Sequence, residues 1–424
     1  MKTFVLFIVL LSFSNLLFSN PGDLIWKYQT KLPVYSSPCV SDGVVYVGSW
    51  DNYIYAINYS SGTIKWKYKT GRSISYSSPC VSQGIVYIGS EDNSLYAINI
   101  SDGTLKWRYQ TSCSVISSPC VSEGVVYIGS YDCFLYSLNN SDGTLKWKYQ
   151  TCNNICSSPI ISDGVIYIGS CDTYIYAINS TDGNVKWSYK TDKWIQSSPF
   201  VSDGVVFIGS DDNYLYAIEA SDGSLNWRYK TGDYIHSSPC VVNGVVYIGS
   251  GDSNLYAINS SQGALKWKYQ TGLPVYSSPC ISKGIAYIGS DDHYLYAINS
   301  SQGTLNWRYQ TGKAVRSSPC VSEGVVFIGS DDGFIYAIET YGYTGFKDNK
   351  SASYIPAKSF SVSPNPFSSR LSIFLQSSGA VYSLTGQLII KLNKGKHFLD
   401  TSKWKEGVYI VKSDKECKRV VKVR

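Results

Sequence analysis

A unit of about forty residues, repeated eight times, decides what this chain can fold into. Three landmarks carry it. Ser-Ser-Pro recurs with its proline at 38, 79, 119, 159, 199, 239, 279 and 319. A Gly-Ser pair closing an apolar run recurs with its glycine at 48, 89, 129, 169, 209, 249, 289 and 329. An LKWxYxT-like run recurs around Trp26, Trp66, Trp107, Trp147, Trp187, Trp227, Trp267 and Trp307. A fixed period of this length marks a propeller or a solenoid, in which each unit buries its apolar face only against its neighbours.

The unit spanning 77–111 shows which of the two it is. Residues 79–82 read as a short strand turned by Gln83-Gly84, and 85–89 as an apolar, β-branched second strand. Asp92-Asn93 turns into a third strand at 95–99, and Asp102-Gly103 is a hairpin signal. Residues 105–110 alternate, with Leu105, Trp107 and Tyr109 on one face and Lys106, Arg108 and Gln110 on the other. Four antiparallel strands per unit make a propeller blade. The repeat is out of phase with the chain ends: the first Trp strand, 24–30, precedes any Ser-Ser-Pro unit, and the last unit stops after three strands. The N-terminal strand is therefore expected to complete blade eight, burying Leu24, Trp26 and Tyr28 and removing both sheet edges. The expected fold is all-β, an eight-bladed β-propeller of four-stranded antiparallel blades over 20–340, followed by a small C-terminal β-sandwich. Thirty-seven Tyr and eleven Trp against one Met agree with many pleated, half-buried surfaces.

The spacing Ala56, Asn58, Gly62, Trp66 recurs as Ala97/Asn99/Gly103/Trp107, Ala177/Asn179/Gly183/Trp187 and Ala257/Asn259/Gly263/Trp267, with Ser137 for Ala in blade three. This pattern resembles the tryptophan-docking motif of the quinoprotein, or PQQ-like, propellers. The resemblance implies that each Trp packs on the neighbouring blade.

Residues 1–19 read as a signal peptide: Lys2 is followed by an apolar stretch from Phe4 to Phe18, too short for a membrane span, and then by the small residue Ser19. No other stretch is apolar enough to span a bilayer. After a connector at 341–358, residues 359–424 alternate in short strands expected at 371–374, 380–383, 388–391, 408–412 and 420–423. Pro364-Asn365-Pro366-Phe367, Thr385-Gly386, Gly407-Val408-Tyr409-Ile410 and Lys418-Arg419-Val420-Val421-Lys422 make this stretch similar to the type A C-terminal sorting domain of the Bacteroidetes-type (type IX) secretion system. That resemblance implies recognition by the secretion machinery and an extracellular or outer-membrane surface address. The tail holds twelve Lys/Arg and four Asp/Glu, so the net +6 of the chain leaves −2 for everything before it. A near-neutral body carries no electrostatic footprint for nucleic acid.

The quinoprotein resemblance brings with it a quinone and calcium dehydrogenase reading, and the residues argue against it. Those enzymes use unique carboxylates and, in many members, a pair of adjacent cysteines; this chain has no Cys-Cys pair. Its Asp residues at 51, 92, 132, 172, 212, 252, 292 and 332 occur once per blade at the same turn, as turn formers do. Histidine occurs only at 236, 293 and 397, which offers no Ser-His-Asp set and no metal site. No catalytic residue, cofactor or metal is therefore expected.

Cysteines fall into two groups. Cys39, Cys80, Cys120, Cys240, Cys280 and Cys320 share a register that Ile160 and Phe200 occupy in the other blades, which reads as a buried apolar position. Cys113, Cys133, Cys152, Cys156 and Cys171 break the register, and propeller geometry puts all five on one face. Disulfides are expected between Cys113 and Cys133 and between Cys171 and either Cys152 or Cys156, with metal binding by the cluster as the other use.

Comparing the eight units separates scaffold from surface. The residue before Ser-Ser-Pro runs Tyr35, Tyr76, Ile116, Cys156, Gln196, His236, Tyr276, Arg316. The residue after Gly-Ser runs Trp50, Glu91, Tyr131, Cys171, Asp211, Gly251, Asp291, Asp331. Both series ring one face, with Trp194 in the link between blades four and five. Aromatics interleaved with carboxylates and an Arg suit a polysaccharide or a protein loop. The expectation is a non-catalytic binding or adhesion propeller, with a structural assembly scaffold as the alternative.

Overall fold

In the computed structural model the described residues are 20–340 together with seven strands of the tail, at 360–363, 370–375, 379–383, 388–392, 395–400, 407–413 and 417–422, and residue 393. The signal peptide, the connector and the Pro364–Phe367 and Thr385-Gly386 motifs lie outside them. The chain forms two compact units that part between residues 345 and 346. No described helix is long and apolar enough to cross a membrane.

The first unit is an eight-bladed propeller. Seven antiparallel four-stranded sheets follow the chain at 39–69, 80–110, 120–150, 160–190, 200–230, 240–270 and 280–310, each with its strands in sequence order. The eighth takes three strands from 320–339 and its outer strand from Leu24–Gln29, which pairs antiparallel with Phe334–Glu339. Two-residue turns with both residues left-handed, such as Gln83 (φ 49°) and Gly84 (φ 79°), join the first two strands of every blade. The second and third strands are almost wholly buried, because neighbouring blades cover both of their faces. The hydrophobic core is accordingly a set of wedges between blades; one of them packs Trp26 and Phe327 of blade eight against Val45, Tyr55 and Ile57 of blade one.

The outer strand departs from the expected alternation. Its register shifts between Leu105 and Trp107, so that Lys106 is an extra residue and the strand twists there. Trp107 stays in the wedge, but Leu105 turns out to 41% exposure. Leu24 does likewise at 40%, so closure buries Trp26 and the half-buried Tyr28 rather than all three residues.

Docking of the tryptophans follows the motif. The indole N–H of Trp66 donates to Ile100 O (3.0 Å), that of Trp107 to Asn140 O (2.9 Å), and that of Trp26 to Tyr59 O (2.8 Å) across the closure. Each ring lies on the glycine of the next blade's hairpin. A Cβ on Gly103, whose φ is +75°, would stand 2.7 Å from the Trp66 indole, so only glycine fits. Trp307 lies instead against Gly22, and its buried indole N–H has no partner among the described residues.

The Ser-Ser-Pro serines bond both within and between blades. The first serine of each pair accepts from the Gly-Ser glycine of its own blade, as Ser77 Oγ does from Gly89 N (2.8 Å). The second accepts from the same serine one blade earlier: Ser37 N–H reaches Ser78 Oγ, Ser78 reaches Ser118, and so on until Ser318 N–H reaches Ser37 Oγ. Eight such bonds of 2.8 to 3.0 Å close a ring through the first strands. These hydroxyls tie each blade to the next.

The second unit holds two antiparallel sheets, one of three strands and one of four. The five tail strands expected from the sequence are present, joined by Phe360–Ser363 and Gly395–Asp400.

Candidate functional site

The repeated aspartates are fully used by the scaffold. In blade five, Asp212 accepts from Tyr214 N–H (3.0 Å), from the Tyr216 hydroxyl (2.6 Å) and from Asp192 N–H of the entering link (3.1 Å). The phenol bond recurs in all eight blades at 2.5 to 2.8 Å. Burial, then the carboxylate it serves, pushes each of these phenols well above the ordinary tyrosine range.

Each link hydrogen-bonds alongside the end of the second strand of its own blade. Trp50 N–H donates to Pro33 O and Cys171 N–H to Asn154 O (3.0 and 2.9 Å), while the next link residue ties back to the blade before, as Ile155 N–H does to Ser130 O (3.2 Å). This ladder sets the residue before Ser-Ser-Pro beside the residue fifteen positions later. The two variable series are thus one series of side-by-side pairs, a contact that forty-residue landmarks do not reveal.

Together the pairs form the mouth of the propeller. A cavity of about 430 Å³ is lined by Tyr131 and by Tyr76, Ile116, Cys156, Gln196, His236, Tyr276 and Arg316, the last seven being all but Tyr35 of the residues that precede Ser-Ser-Pro. A second, of about 530 Å³, adjoins it over blades four to six, where Trp194 and Tyr234 stand with Asp192, Lys193, Asp211 and His236. Trp194 and Tyr76 are 54% and 55% exposed. Trp50 is less free: its ring meets Tyr35 edge-on at 4.7 Å, and its indole N–H is buried.

Charges at the mouth are paired across blades. Arg316 holds Asp291 with two nitrogens at 3.0 Å, lies 3.9 Å from Asp331, and stacks over Tyr35 and Tyr276. Burial raises the Asp331 carboxyl to about 6, even though Arg316 and a bond from Tyr35 pull it down. His236 Nε2 lies 3.1 Å from both Asp211 Oδ1 and Gln196 Nε2, and its ring packs on Tyr234. His293 sits in a turn of blade seven with φ +75°. No cluster of three metal-ligating side chains occurs among the described residues.

The eleven cysteines of the propeller are free thiols. The register cysteines are half-buried rather than buried, because their strands flank the central opening. Burial nevertheless pushes Cys80 and Cys320 up to about 12, with the neighbouring register thiols adding to the rise. Cys133 directs its thiol to Asn154 Oδ1 (3.8 Å), with Cys113 and Cys152 within electrostatic reach. Cys156 and Cys171 meet with their sulfurs 3.2 Å apart.

Two family models match the chain. The one described as beta-alanine-activating enzyme, beta-propeller, matches residues 77–283 and 162–400, and that of outer membrane protein assembly factor BamB matches 13–113. Among solved structures, BamB from Moraxella catarrhalis is 18% identical with a TM-score of 0.66. The computationally designed Ika8 protein is 15% identical with a TM-score of 0.67. Each alignment covers 75% of this chain and 99% of the other. At these identities the likeness is one of fold. No curated protein matches the chain.

Proposed function

Starting from the chain's membership of the beta-alanine-activating enzyme β-propeller family, we propose that it is an exported, non-catalytic binding propeller that takes a protein or polysaccharide partner at the channel mouth. One observation carries the reading. The scaffold repeats in every blade, while the paired positions around the mouth differ from blade to blade and expose Trp194 and Tyr76 beside two open cavities. Aromatic side chains with an apolar body and a polar rim suit such a contact. Redox catalysis is disfavoured by the same comparison, because the carboxylates that a quinone-binding site would draw on serve a structural role in every blade.

Assembly-scaffold work is the second reading. It is favoured by the match of residues 13–113 to the BamB model, and a mouth that grips a partner protein serves either role. Export by the signal peptide and the type IX-like tail belongs to this proposal; a separate C-terminal unit, with strands where the alternation of the tail puts them, is compatible with it.

The test is capture by the full chain on a glycan array and from extracellular and envelope fractions, beside a Trp194→Ala/Tyr76→Ala variant. Both side chains are half exposed, so the variant is expected to melt within a degree or two of the parent and to lose most of the capture. Undiminished capture overturns the assignment of the mouth.

A further inference from the structure

Blade four differs from the other seven in one respect: both members of its side-by-side pair are cysteines. The same ladder that sets Tyr35 against Trp50 and Gln196 against Asp211 sets Cys156 against Cys171. Their sulfurs stand 3.2 Å apart as free thiols. The register thiols have other partners: Cys39, Cys80 and Cys320 each face the backbone of the next blade's first strand, at Val81, Val121 and Val40. Cys152, the other partner that the sequence allowed for Cys171, is exposed on the link, where its backbone N–H donates to Asp172 (2.9 Å).

We propose that Cys156 and Cys171 form a disulfide, made by exchange with a disulfide oxidant, that pins the link entering blade four to the end of that blade's second strand. The inference concerns a covalent modification and stands apart from the identity of any partner.

Unequal surroundings assign the order of attack. Cys156 lines the open mouth cavity, whereas Cys171 is only 7% exposed. Hydrogen bonds from Cys171 and from Tyr131 hold the Cys156 thiol below its ordinary value, and the same Cys156 contact drives Cys171 upward. Cys156, as the thiolate, attacks one sulfur of the oxidant. The oxidant's S–S bond breaks, and its other sulfur leaves as a thiolate. Cys171 then loses its proton and attacks Cys156 Sγ, forming the intrachain bond and expelling the second oxidant sulfur. Two cysteine thiols have lost two electrons and two protons, and one oxidant disulfide has become two thiols.

Equilibrating the full chain with oxidised glutathione, blocking free thiols and digesting without reduction with trypsin and chymotrypsin tests this. Cleavage at Tyr167 separates the two cysteines, so the bond appears as a linked pair of peptides that reduction resolves. The expected result is the linked pair in the parent and in Cys152→Ser, and its loss in Cys156→Ser. Full alkylation of Cys171 in the oxidised parent overturns the proposal, as does a linked pair that persists in Cys156→Ser.

Discussion

Along the outer wall, Trp66, Trp107 and their counterparts press on a glycine of the next blade and donate to its backbone, and the same residue types return at every unit. At the channel mouth, the residue before Ser-Ser-Pro is Tyr, Tyr, Ile, Cys, Gln, His, Tyr and Arg in turn. The wall position is held by the glycine and backbone of the next blade, so another side chain there leaves a cavity or a clash. The mouth position looks into an opening, so the fold tolerates what stands there, and the mouth is free to be specific. Repetition in this chain therefore marks where packing decides the residue, and variation marks where packing is silent.

Breaking the wall at its single covalent discontinuity should have the largest effect. Deleting residues 20–30 removes Trp26, its bond to Tyr59 O and the strand that covers Phe334–Glu339. Losing one buried Trp alone costs about 3 to 5 kcal/mol, and the deletion also opens a sheet edge. The single cooperative melting transition should be lost, or its midpoint lowered by more than ten degrees on the order of. A variant that melts with the parent would mean that the ring does not need its eighth outer strand.

A finer test separates glycine's conformation from its space. Gly84 and Gly103 have nearly the same φ, +79° and +75°, but a Cβ on Gly84 meets nothing within 4 Å, while one on Gly103 meets the Trp66 ring at 2.7 Å. Gly84→Ala should cost about 1 kcal/mol, the backbone penalty alone. Gly103→Ala should cost about 2 kcal/mol more, because the indole must move in a close-packed wedge. Urea midpoints compare the two directly. Equal losses would show that the docking glycine is selected for its turn and not for the tryptophan.

Most of the wall was legible in the sequence, because a blade is a local object. Its turns, strand periods and the A-x-N-x-x-x-G-x-x-x-W spacing all lie within one unit, and the missing outer strand of the last unit announced the closure. What stayed hidden depends on contacts between units or on small changes of register. The ring of Ser78-type hydroxyls links residues forty positions apart, and nothing in a serine's neighbours reports such a partner. The extra residue at Lys106 reverses the facing of Leu105 without altering the apolar pattern. Of the mouth, the sequence revealed which residues ring it but not that Gln196 touches Asp211, and it left the partner of Cys171 open between Cys152 and Cys156, since that pairing comes from the ladder between link and second strand.

Wall and mouth meet at two consecutive residues, and the smallest predicted effect distinguishes them. Asp332 is the repeated carboxylate, taking bonds from Tyr336, Phe334 N–H and Gly312 N–H. Asp331 occurs in a variable series, is half buried near Arg316, Tyr35, Asp291 and Lys313, and has its carboxyl raised to about 6 chiefly by burial. An unfolded aspartate titrates near 4. Between about pH 4 and 6 the folded chain therefore holds more protons at Asp331 than the unfolded chain does. Stability accordingly falls as pH rises through that window and stays lowered above it. Allowing for solvent screening, the contribution is about 1 kcal/mol. Asp331→Asn should remove it: the variant should match the parent near pH 4 and exceed it by that amount at pH 7. Asp332→Asn should lose about 2 kcal/mol at every pH from 5 to 8, because charge-assisted bonds go with the carboxylate. Urea midpoints at pH 4, 5, 6 and 7 read both. If the Asp331→Asn difference does not change with pH, the carboxyl ionises as freely as one in water, and the mouth is wetter around Arg316 than its packing implies.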